Sequence, residues 1–136
     1  MSMESYELGD QNNDLFLKMN VGTAGIAVSE VYCLNGNTPL LISKSDKNSG
    51  NIKEIKFGKA NEFKNKKLHF SSTINLSYLD PANWDQAAKT LDIRIEIKGG
   101  KDGLKKFNLS SNDLKIIKKS RILFNKEIHL LWKSYY

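Results

Sequence analysis

The chain has 136 residues, of which 40% are hydrophobic and 26% charged. That is enough for one core-forming domain and too little for two comfortable ones, and the balance excludes wholesale disorder. The single cysteine, Cys33, excludes an internal disulfide, so packing has to hold the fold. Apolar runs of only a few residues exclude a membrane-crossing helix, which needs about 20.

The first residues have no basic stretch followed by an apolar core, so no signal peptide is read here. A cytoplasmic location is expected by default, with leaderless export left open. Net charge is +6, and it is unevenly spread. Residues 1–54 carry four basic side chains against seven acidic ones, 55–97 carry seven against five, and 98–136 carry ten against three. A basic end suits nucleic acid, an anionic membrane or an acidic protein. The bases, however, are 19 lysines and two arginines, Arg94 and Arg121. Lysine lacks the planar fork that reads phosphates and bases, so a solvated basic face is the plainer expectation.

In chain order, residues 1–13 are polar and read as a tail or an edge strand. Residues 14–21 are the first extended run, with Leu15, Leu17 and Met19 on one face and Phe16 on the other. After a break at 22–25, residues 26–34 carry apolar side chains on both faces, as a central strand does. Asn35-Gly36-Asn37 marks a tight turn, and the chain re-extends over 38–43, with Pro39 at a strand start or an edge. A polar loop and a further strand candidate, 52–57, follow. Residues 58–67 form a lysine-rich connection anchored by Phe63.

Residues 68–79 alternate, so Leu68, Phe70, Ser72, Ile74, Leu76 and Tyr78 can share one face. Asp80 is a good helix cap and Pro81 fits a first helical position, so one or two helical turns are expected near 81–89, with Trp84 packed on the sheet. Residues 90–98 show strict alternation: Leu91, Ile93, Ile95 and Ile97 face one way, and Asp92, Arg94, Glu96 and Lys98 face the other. Gly99 to Gly103 reads as a hairpin loop, and 104–109 as the return strand. Ser110 to Asp113 either caps a short helix or turns into a short strand. Residues 121–124, a turn at Asn125-Lys126, and 127–132 read as a final hairpin.

The expected fold is therefore all-β and mainly antiparallel: a β-sandwich of about eight strands with one short helical crossover near residues 81–89. Residues 14–136 form the single sandwich domain.

No residue pattern carries catalysis, a cofactor or a metal. Cys33 sits in an apolar run and reads as a buried small hydrophobe. His69 and His129 are isolated and offset from the apolar faces, whereas zinc needs three or four ligands. Asp92 and Glu96 are four strand residues apart, about 13 Å. That is wider than paired-carboxylate chemistry uses, and they alternate with bases as a solvated ladder does. Gly99 to Gly103 lacks a phosphate-loop pattern. Asp80, Asp85 and Asp102 lack calcium-loop spacing. No nucleophile elbow is present.

The leading expectation is a non-enzymatic protein-interaction or assembly module, associating with itself or within a larger complex. Its candidate interface is the aromatic end, Trp132, Tyr135 and Tyr136. The alternative is a ligand-binding sandwich that recognises a carbohydrate or a polyanion, either anionic lipid or nucleic acid. Its candidate contacts are Lys105, Lys106, Lys118, Lys119 and Arg121.

Overall fold

The computed structural model describes residues 2–46 and 48–132. Its ten strands are β1 (Ser2–Glu7), β2 (Asp14–Gly22), β3 (Ile26–Asn35), β4 (Thr38–Lys44), β5 (Ile52–Lys59), β6 (Lys67–Asn75), β7 (Asp92–Lys98), β8 (Lys105–Asn108), β9 (Leu114–Lys118) and β10 (Arg121–Leu131). They form an all-β sandwich. One sheet runs β1-β10-β6-β3-β4, with β9 also paired to β10, and the other runs β5-β2-β7-β8. All pairings are antiparallel except β1 with β10.

Period-two patterning builds both inner faces. β2 buries Leu15, Leu17 and Met19, β7 buries Ile93, Ile95 and Ile97, and β6 buries Leu68, Phe70, Ser72 and Ile74. A fully buried side chain of the size of Phe70 contributes about 1.5–3 kcal/mol relative to an exposed one, so these three strands carry much of the core's stability. Ser72 is tolerated in the core because Ser29 Oγ donates to its Oγ at 3.0 Å.

The helical crossover forms where the sequence places it. Asp80 Oδ1 accepts from the Ala82 amide at 3.0 Å, Pro81 opens a 3₁₀ turn (Pro81–Asn83), and α1 (Trp84–Lys89) follows. Trp84 is partly buried against the core and donates from Nε1 to the Leu79 carbonyl at 3.2 Å. Among the described residues, no helix is long and apolar enough to cross a membrane.

Two expectations are corrected and, between them, one open alternative is decided. First, the alternation of 68–79 ends early. β6 stops at Asn75, the chain turns with the Leu79 amide on the Leu76 carbonyl, and Tyr78 is 75% exposed. Second, residues 110–113 are a 3₁₀ turn leading into strand β9. Third, the end of the chain is one continuous strand and not a hairpin broken at Asn125-Lys126. Lys126 lies on the core face of β10 between Phe124 and Ile128, and its side chain is 1% exposed.

The buried ammonium is accepted because all its donors are used. Nζ lies 2.7 Å from the Asn108 carbonyl, 2.8 Å from Glu4 Oε2 and 3.1 Å from Asp113 Oδ2. Asp113 also accepts from the Ser110 amide at 2.9 Å, which closes the preceding turn. Lys126 sits where the free edge of β10 changes partner, since β9 pairs with 121–124 and β1 with 126–131.

Candidate interaction edge

The two long sides of the sandwich are built differently. On one side β1 is stitched to the β7–β8 loop. Gly100 N donates to Tyr6 Oη at 2.9 Å, and Tyr6 Oη donates to the Gly103 carbonyl. The Lys101 amide reaches the Leu8 carbonyl at 3.1 Å, and Glu7 N reaches Asp102 Oδ2 at 2.8 Å. The glycines make this docking possible: a Cβ on Gly100 would come within 2.7 Å of the Tyr6 ring, and Gly99 (φ 112°) lies against the Asp14 carbonyl. That is the role the structure gives this glycine-rich loop.

On the other side β4 and β5 are in contact, but among the described residues no hydrogen-bonded ladder joins them. β4 is an edge strand hydrogen-bonded only to β3. Its Leu40 is 67% exposed and Leu41 47% exposed. Below it, a cavity of about 450 Å³ is lined by Cys33, Leu40, Phe63, Glu62 and Lys66. The β3–β4 turn places Gly36 (φ 64°) first and Asn37 second, as a type II′ hairpin requires. In a two-residue hairpin the flanking pair, Asn35 with Thr38, is the hydrogen-bonded one. By alternation, Pro39 and Leu41 then direct their backbone groups off the open edge, where the missing amide of Pro39 costs nothing.

Edges usually carry charges, bulges or short strands that discourage pairing. β5 has Lys53, Glu54, Lys56 and Lys59 and two register shifts against β2. β8 has only four residues, two of them lysines. β9 has exposed Ile116 and Ile117, but Lys115 and Lys118 bracket them. β4 carries no charge between Thr38 and Ser43, and its protection is Pro39 and one bulge near Ile42.

The sequence-predicted residues are dispersed. Trp132 is partly buried against the core, its amide donates to Asn65 Oδ1 at 3.3 Å, and Lys64 Nζ lies 4.3 Å from its ring centre. Its surface is thus largely used by its own chain. Tyr135 and Tyr136 lie outside the described residues. Lys105 Nζ donates to the Ser5 carbonyl at 2.7 Å, so this lysine serves the β1 seam. Lys106 is exposed on β8, across from Glu96 on β7. Lys118, Lys119 and Arg121 are exposed together at the β9–β10 turn, on the other sheet.

The remaining candidates are also separated. Cys33 faces the core, 4% exposed, and burial raises its thiol pKa. His69 and His129 lie on the opposite, outer face of that sheet. His69 Nε2 is 2.9 Å from Asn125 Oδ1, and its Nδ1 is 3.6 Å from Glu127 Oε1. Both ring nitrogens thus face side chains other than Ser71 and Tyr32, the hydroxyl residues that line the same shallow recess. Asp92 pairs with Arg94 at 3.3 Å, Glu96 with Lys18 at 3.9 Å and Lys98 with Glu54 at 2.9 Å, as a charge ladder does. Asp80 and Asp85 precede β7 while Asp102 follows it, so the strand's length separates them. Among the described residues, no group of three or more His, Cys, Asp or Glu is arranged to hold a metal ion.

Sequence reasoning passed over Leu40 and Leu41. The available signal was the uncharged run between Pro39 and Lys44, read only as the second half of a hairpin. No protein-family model, curated protein or solved structure matches the chain.

Proposed function

We propose that this chain is a non-enzymatic assembly module that associates by adding an extended strand to the open edge of β4. The observation that carries the reading is the contrast among edges: β4 alone among them presents adjacent exposed leucines with no flanking charge until Lys44. Strand addition draws affinity from main-chain hydrogen bonds and selectivity from the side chains beside them. The cavity beneath Leu40 gives a partner's side chain a place to go.

The test is hydrogen exchange on the whole chain, read at residues 40–43 as concentration rises or a binding strand is supplied, beside a Leu41→Lys variant. Expected are slowed exchange in that segment and its loss in the variant, both insensitive to salt. Association that leaves β4 exchange unchanged and vanishes at about 0.5 M salt would instead assign binding to the Lys118, Lys119 and Arg121 turn, since exposed charges are screened there within a few ångströms.

A further inference from the structure

The open edge of β4 is complementary to itself, and from this we infer that its partner is a second copy of the same chain, paired antiparallel about a two-fold axis at Leu41. The inference rests on the strand-addition reading and adds the partner and the register.

Three observations fix the choice. The first is backbone geometry. Leu41 directs its amide and carbonyl off the edge, so a two-fold axis at Leu41 lets the two copies exchange both bonds. The second is the side-chain register. With Leu41 opposite Leu41, the bulge sets Leu40 of each copy across from Ile42 and Ser43 of the other, and Pro39 across from Lys44, the next residue whose backbone points off the edge. Leu41 of each copy then meets its counterpart on the outer face, Leu40 on the core face lies beside the partner's partly buried Ile42, and the missing amide of Pro39 removes one bond from each copy.

The third is charge. Residues 98–121, which include β8 and β9, carry eight basic side chains against two acidic. Copies meeting along that side would bring like charge together. Residues 26–46, which hold β3 and β4, carry one lysine and two acids. Pairing through β4, even with Lys53, Glu54, Lys56 and Lys59 of the adjacent β5, brings less like charge together and keeps the two most basic sides farthest apart. An isologous contact of this kind closes on itself, so it yields a dimer and not a fibre. One short strand pair is a small interface, so the dimer should be reversible and concentration-dependent.

Variants that each add one cysteine test it, with buried Cys33 left in place and the parent chain as control. Under oxidised glutathione, Leu41→Cys should link copies, because paired strands hold opposite Cα atoms at about 4.5–5.5 Å, within disulfide reach. Thr38→Cys should not link to itself, since this register sets the two positions six residues apart, about 20 Å. Self-linking of Thr38→Cys without linking of Leu41→Cys would overturn the register. A chain that stays monomeric by light scattering at millimolar concentration would overturn the second-copy inference. In that case a synthetic peptide of residues 38–44 separates the two ideas: slowed exchange at 40–43 on adding it preserves strand addition, and unchanged exchange removes that too.

Discussion

Replacing Lys126 by methionine keeps most of the aliphatic stem and removes the ammonium. Asp113, whose side chain is fully buried, then loses its 3.1 Å counter-charge while it still accepts from the Ser110 amide and hydroxyl. Glu4 is 42% exposed and can turn to water, so its loss is discounted. Breaking a buried pair by deleting one partner costs about 3–5 kcal/mol. At roughly 2.1 cal/mol/K of unfolding entropy per residue, 136 residues convert that to a fall in Tm of about 10–17 °C. Calorimetry and urea unfolding at neutral pH measure it. Adding Asp113→Asn, which keeps an acceptor for the Ser110 turn but removes the stranded charge, should recover at least half the loss. A Lys126→Met cost below about 1 kcal/mol, the scale of an exposed pair, would refute the buried-charge reasoning. So would a double variant no better than the single one.

Gly99→Ala should be severely destabilising, by about 3 kcal/mol or more, because its Cβ would sit 2.0 Å from the Asp14 carbonyl at φ 112°. Gly36→Ala, at φ 64° with open space around it, should cost only about 1–2 kcal/mol, so paired melting curves separate steric conflict from backbone preference. Burial raises the Tyr6 hydroxyl above its ordinary value near 10. A raised folded-state value keeps its stabilisation intact below pH 10 and loses it as pH rises through the folded value. Tyr6→Phe should therefore be less stable than the parent at neutral pH, and the gap should narrow above pH 10 in denaturant titrations. Cys33, buried and with its thiol pKa raised by that burial, should react with a thiol reagent at pH 8 far more slowly in the native chain than in urea.

The elements that were legible in the sequence are those where burial and alternation coincide. Ile93, Ile95 and Ile97 alternate with charges without interruption, so β7 needed no tertiary information. Asp80 and Pro81 announced the crossover because capping is a local interaction. β10 failed for a reason the sequence cannot display. Ile122, Phe124, Ile128 and Leu130 keep period two, but the member between them is a lysine whose acceptors come from residues 4, 108 and 113. Without those distant partners, Asn125-Lys126-Glu127 looks like a turn. Tyr78 failed in the opposite sense: its pattern continued after hydrogen bonding had stopped, and alternation alone cannot say where a strand's partner ends. The open edge was hidden for a similar reason. Leu40 and Leu41 look like core residues until the sheet order shows that, among the described residues, no strand pairs beyond them.

The parallel pairing of β1 with β10 has a consequence for how the protein is made. Tyr6 lies opposite Leu130, so the ribosome releases the first strand more than a hundred residues before the strand that receives it. At about 5–20 residues per second, Tyr6 and Leu8 wait roughly 6–25 seconds in the nascent chain before their side of the sandwich can close. Until then the half of β10's edge that β1 will occupy does not exist, and Lys126 has no Glu4 beside it. The joining of β1 to β10 therefore waits until residues 121–131 have been made, and that joining completes the setting of the buried lysine.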